Sequence, residues 1–116
     1  MTESNFIYLD YNATSPMLPH VIEEMHDVSR KYFGNPSSPH QAGRDAKAVL
    51  EESRQRLAKC LGVTRQEIIF TSGGSESNNF FLKGLFYKNP EKRHFITTKI
   101  EHDCIIQTCK WIERQG

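Results

Sequence analysis

Apolar residues Met17, Val21, Met25, Val28 and Tyr32 recur at spacings of four, four, three and four, the stripe of a helix that buries one face. The polar, proline-containing stretch 11–19 ahead of them puts the helix start near Leu18, and Gly34 with Pro36 beyond ends it. After the turn-rich GNPSSPH of 34–40, Ala42, Ala46, Val49, Leu50, Leu57 and Leu61 mark a second amphipathic helix that Gly62 stops. The pattern then changes: runs at 67–71 and 95–98 predict strands, and 75–87 and 103–115 predict helices. Residues 7–10 predict a short strand or an extended arm.

This alternation predicts an α/β fold with at least one parallel pair of strands. The division it suggests is an extended arm over 1–16, a helical segment over 17–62 and the start of an α/β domain over 63–116. Two strands, or three with the N-terminal run, make a poor parallel sheet, which needs more neighbours and helices on both faces. The final WIERQG stands where a helix would lead into another strand, so the α/β domain is expected to be incomplete.

Composition narrows the function classes. A formal net charge of +1 over 116 residues gives no strong field to attract nucleic acid or a membrane surface. No stretch reaches the length of a membrane span, and MTESNFIYLDY lacks the form of a signal peptide, so a cytoplasmic setting is expected. Cys60, Cys104 and Cys109 cannot all pair within the chain, and their spacings fit neither a CxxC redox site nor a standard zinc pattern. Reduced thiols and no metal site are expected.

Two segments carry candidate chemistry. In FTSGGSESNN, at 70–79, a strand-like run stops at Gly73 and Gly74, which allow positive φ or close backbone approach, and a helix starts at Ser75. Free N–H groups and the positive end of the helix dipole make such a start an anion site, with phosphate the natural guest. The simpler reading is an ordinary cap by Ser72 or Ser75 over a tight turn. Neither GxxxxGK[ST] nor GxGxxG is present, which excludes the P-loop and dinucleotide fingerprints. In TTKIEHDC, at 97–104, His102 opens a helix after a strand, on the sheet edge where ligands collect; the simpler reading is a solvated histidine. Cys104 and Cys109 read as small hydrophobes, Cys109 sharing a helical stripe with Ile105 and Ile112, and no nucleophile is assigned to them. The loops DYNATSP and GNPSSPHQAG offer Asn12, Ala13, Asn35 and His40 as pocket candidates, or serve only as caps and turns.

Taken together, YLDYNATSP at 8–16, GNPSSPHQAGRDA at 34–46, IIFTSGGSESNN at 68–79 and TTKIEHDCI at 97–105 closely resemble the cysteine desulfurases of the IscS/NifS type, class-V enzymes that use pyridoxal phosphate. The resemblance covers essentially the whole chain. It implies the N-terminal part of the aspartate-aminotransferase-like fold, with 63–116 opening the large domain that binds the cofactor. It further implies that Gly74 and Ser75 hold the cofactor phosphate, and that His102 stacks on the pyridine ring and assists proton transfer. Ser75 stands where the family more often has threonine, which keeps the hydroxyl; Cys104 replaces a small residue.

The activity implied is conversion of L-cysteine to L-alanine. The cofactor acts as electron sink, and an enzyme thiolate takes the sulfur as a persulfide for iron–sulfur scaffold proteins or tRNA thiolation. Such enzymes are homodimers. No lysine or cysteine here matches the family's Schiff-base lysine or its loop nucleophile, so the chain alone is expected to be inactive and to hold pyridoxal phosphate weakly or not at all. The alternatives are a non-enzymatic half-domain that pairs through uncovered faces, or a piece of a related selenocysteine lyase.

Overall fold

The computed structural model describes residues 7–116. In chain order they form α1 (Pro19–Lys31), α2 (Gln41–Leu61), a single 3₁₀ turn (Arg65–Glu67), α3 (Gly74–Lys88) and α4 (Asp103–Glu113). The backbone divides into two units, Met1–Ile68 and Ile69–Gly116.

In the first unit, α1 starts where the proline pattern puts it. Leu18 is the extended residue before the helix, and Pro19 takes the first helical position, where a missing N–H costs nothing. Arg30 and Lys31 in the last turn face the negative end of the helix dipole. The buried stripe expected along α1 is not formed: Met17, Val21 and Met25 are 56%, 37% and 52% exposed. A helix buries a face only where another element offers an opposing surface, and α1 packs on no other described element.

The start of α2 is built by the loop before it. His40 is the N-cap, its Nδ1 accepting the Gly43 N–H at 3.3 Å. Asn35 Oδ1 accepts the Ser37 N–H at 2.9 Å, and the Asn35 carbonyl accepts the Ser38 N–H at 2.9 Å, which turns the loop back on the helix. The return is close at two glycines. A Cβ on Gly43 would meet the Asn35 carbonyl oxygen at 2.7 Å and Ser38 Cβ at 2.9 Å, and one on Gly34 would meet the Ala42 carbonyl carbon at 2.5 Å.

Gly62 ends α2 in the left-handed region at φ 68°, the stop expected, and the Val63 N–H reaches back to the Ala58 carbonyl at 3.0 Å. Ala46 and Ala58 are buried, while Leu57 and Leu61 of the predicted stripe stay exposed. Thr64 and Glu67 then form a capping box around the 3₁₀ turn, the carboxylate taking the Thr64 N–H at 2.8 Å and its hydroxyl at 2.7 Å. Arg54 ties the turn to α2 by donating to the Ile68 carbonyl at 2.6 Å.

The second unit is α3 packed on α4. Phe86, Thr108 and Ile112 are buried between them. Trp111 lies edge-on to Phe86 and Tyr87, both with ring centroids 6.2 Å away, and the Lys83 ammonium sits 4.8 Å over the indole. The buried Thr108 hydroxyl donates to the Cys104 carbonyl at 2.7 Å, so its burial costs no lost hydrogen bond.

The expected sheet is absent among the described residues, none of which is in a strand. The run at 67–71 begins as the end of the 3₁₀ turn and is not a strand, and neither are the runs at 7–10 and 95–98. β-branched and aromatic side chains favour extended backbone, but a strand exists only when a neighbour takes its N–H and C=O groups. No described segment does so here, and Ile96 is left 91% exposed. The helices predicted at 75–87 and 103–115 form at Gly74–Lys88 and Asp103–Glu113.

Two outcomes test this account. Gly43→Ala and Gly34→Ala should each lower stability by about 1–3 kcal/mol in urea titration, because backbone must move to admit the methyl. Gly84→Ala, within α3 with open space around it, should gain about 0.5–1 kcal/mol. The hydrogen bonds from Thr64 lower the Glu67 pKa from its ordinary 4.5. The capping box therefore stabilises the fold above pH 4.5 and is lost as pH falls through the lower folded value. Carboxyl-carbon NMR should show a Glu67 midpoint below 4.5 that returns toward it in Thr64→Ala.

Candidate functional site

The segment 71–79 is braced by its own short polar side chains. The Glu76 carboxylate accepts the Ser72 N–H at 2.6 Å and the Ser72 hydroxyl at 2.7 Å, and these two bonds hold its pKa below the usual carboxylate value. The Thr71 and Ser77 hydroxyls lie 2.7 Å apart, and both N–H and Oγ of Ser77 donate to the Gly73 carbonyl. Gly73 is the residue before the helix, and it is extended at φ 162°. Neither Gly73 nor Gly74 has left-handed backbone, and a Cβ on either would meet only open space, so the two reasons anticipated for these glycines are both absent.

The consequence is a helix start without a cap. No side chain caps α3, contrary to the simpler expectation of a cap by Ser72 or Ser75, because Ser72 is held by Glu76 instead. Among the described residues the N–H groups of Gly74, Ser75 and Glu76 have no hydrogen-bond partner, and the first hydrogen-bonded donor is the Ser77 N–H, at 3.1 Å from the Gly73 carbonyl. Three convergent donors, the positive helix end and open space beside two glycines suit an anion.

At the start of α4 the N-cap is His102, whose Nδ1 accepts the Cys104 N–H at 3.2 Å. His102 is exposed, as the simpler expectation has it, but its ring is fixed by this bond. The Cys104 sulfur lies 3.0 Å from the same Nδ1, and Asn78 of α3 donates to it at 3.3 Å. Together they hold the Cys104 thiol below its ordinary pKa: the Asn78 hydrogen bond acts most, burial opposes it, and the His102 and Ser75 hydrogen bonds and the His102 charge add to the lowering.

The structure thus gathers Ser75, Asn78, His102 and Cys104 where the first turns of α3 and α4 meet, with Gly74 next to them in the chain. Sequence reasoning gives Asn78 no role and reads Cys104 as a small hydrophobe. Their spacing held a signal: Asn78 follows Ser75 by three residues on one helix, and Cys104 follows the N-cap histidine by two. Asn12 and Ala13 lie in an exposed turn in which the Ala13 N–H meets the Asp10 carbonyl at 3.1 Å. Asn35 and His40 use Oδ1 and Nδ1 to shape the entry to α2. These four residues belong to the first unit, and the other candidates to the second. Among the described residues no group of three or more His, Cys, Asp or Glu side chains could hold a metal ion, and no helix is long and apolar enough to cross a membrane.

Comparison with known proteins agrees over nearly the whole length. The Aminotransferase class-V family matches residues 7–116. The cysteine desulfurase IscS of Dictyoglomus turgidum is 44% identical over 111 residues, which is 95% of this chain and 28% of that protein. Its counterpart in Methanosarcina thermophila is 41% identical over 116 residues, 99% of this chain and 29% of that one. A solved NifS-like protein superposes with a TM-score of 0.85 at 40% identity, covering 95% of this chain and 30% of its own. The chain spans less than a third of the length of these relatives. The described residues have the course of the aminotransferase-like fold in its helices and turns, without a paired sheet. Matched from residue 7 to residue 116, the chain belongs to the class-V aminotransferase family.

Proposed function

We propose that this chain is the N-terminal portion of a cysteine desulfurase that uses pyridoxal phosphate to convert L-cysteine to L-alanine. The observation that carries the reading is the uncapped start of α3, with the free N–H groups of Gly74, Ser75 and Glu76. The chemistry of this donor set fits a phosphate monoester, since a dianion can take several N–H donors and the Ser75 hydroxyl at once. The Glu76 carboxylate is turned to Ser72. When bound, the cofactor supplies an electron sink for bond cleavage at the amino-acid substrate.

The chain's own residues then have distinct tasks. Gly74 and Ser75 fix the phosphate and so the register of the cofactor. His102 works through its ring: with Nδ1 accepting from Cys104, the neutral imidazole carries its hydrogen on Nε2, which is the atom to present a proton to a bound substrate. Residues 63–116 would open the cofactor domain, after an arm over 1–16 and a helical segment over 17–62. Asn12, Ala13, Asn35 and His40 are proposed to line the substrate side. The cofactor-linking lysine and the sulfur-accepting cysteine would lie outside residues 1–116, in a homodimer that passes persulfide sulfur to an iron–sulfur scaffold or to tRNA thiolation in the cytoplasm.

In an amide NMR titration of the chain, pyridoxal phosphate and inorganic phosphate should both shift Gly74, Ser75 and Glu76, and only the former should also shift the His102 ring. Ser75→Ala should weaken binding by about five- to tenfold, the loss of one hydrogen bond to a charged group. Shifts confined to other residues would overturn the assignment. In the longer polypeptide of the same reading frame, sulfide release from L-cysteine should fall about a hundredfold or more in His102→Gln. Unchanged turnover would remove His102 from the proposed chemistry.

A further inference from the structure

Cys104 is a free thiol that the proposed desulfurase chemistry does not use. Its sulfur is met by side chains from two helices: His102 Nδ1 at 3.0 Å and Asn78 Nδ2 at 3.3 Å. The hydrogen-bond directions define how the pair works. The Cys104 N–H needs Nδ1 as an acceptor, so in the neutral pair the thiol is also the donor and Nδ1 the receiver. Moving that proton from Sγ to Nδ1 ends the ring's acceptance of the Cys104 N–H and leaves a thiolate facing an imidazolium, with Asn78 donating to the sulfur at the positive end of α4. The adjacent carboxylate, Asp103, accepts from Gln107 at 3.0 Å.

We propose that Cys104 is a reactive thiol that forms a mixed disulfide with small disulfides, with His102 as the base and Asn78 as the donor to the sulfur. The thiol proton passes to His102 Nδ1, and the thiolate attacks one sulfur of the incoming disulfide. The new Sγ–S bond forms as the old S–S bond breaks. Cys104 is oxidised, the departing half is reduced to a thiolate, and that thiolate recovers the proton from the imidazolium. The incoming molecule must be small, because the sulfur is half-buried between the two helix starts. The adduct occupies the space that Ser75, Asn78 and His102 share, and takes from His102 the thiol it is bonded to. Modification of this one sulfur therefore regulates both ends of the proposed cofactor site.

Reaction with 4,4′-dithiodipyridine at about pH 6.5, followed by tandem mass spectrometry that separates Cys104 from Cys109, tests the proposal on the 116-residue chain. Native Cys104 should react roughly tenfold faster than the exposed Cys60, although it is the less accessible thiol. In urea, where the cluster is dispersed, the two rates should become equal within about twofold. Asn78→Ala and His102→Gln, checked for native helix content by circular dichroism, should each bring native Cys104 down toward Cys60. A native Cys104 no faster than Cys60, or a rate ratio that urea leaves unchanged, would overturn the proposal without recourse to either variant. Neither arm needs pyridoxal phosphate, so failure here leaves the cofactor assignment standing, and failure of that assignment leaves the thiol proposal standing.

Discussion

The packing of α3 against α4 is what the candidate chemistry depends on. Phe86, Thr108 and Ile112 close the interface, and the aromatic contacts of Trp111 with Phe86 and Tyr87 hold the far ends of the helices together. That fixes the near ends as well, where Ser75 and Asn78 of one first turn face His102 and Cys104 of the other. Four small polar groups can act on one another only because a hydrophobic contact roughly three turns away sets the register. The first-turn N–H groups of α3 stay clear for a local reason, since Glu76 turns its carboxylate to Ser72 and no side chain caps the helix.

Segments rich in β-formers show the opposite case, of local preference without a partner. The runs at 67–71 and 95–98 have the composition of buried parallel strands, yet neither is a strand, and Ile69, Phe70 and Ile96 are exposed. The amphipathic stripe of α1 is in the same condition. In both, the sequence encodes a surface for contact, and the contact that would cover it is not supplied by the described residues.

Helices were legible because their signals are local. Pro19 at a helix start and Gly62 in the left-handed region at a helix end act through the backbone of a few neighbouring residues. Strands were not, because pairing depends on chain far away in sequence. At the site, Gly74, Ser75 and His102 could be singled out from the turn and from the wider resemblance. The roles of Asn78 and Cys104 could not, as a thiol on a helix reads as a hydrophobe until the residue across from it is known. Glu76 was overlooked for a related reason: its bond to Ser72, four residues back, decides whether the helix end is capped.

Trp111 is the one tryptophan in the chain, and it sits within the α3–α4 contact with the Lys83 ammonium over its ring. Its indole is therefore an intrinsic optical probe of the second unit alone. Emission excited at the red edge of indole absorption follows the opening of α3 from α4 without a signal from the first unit, which contains no tryptophan. The two halves of the chain can thus be resolved spectroscopically with no label attached.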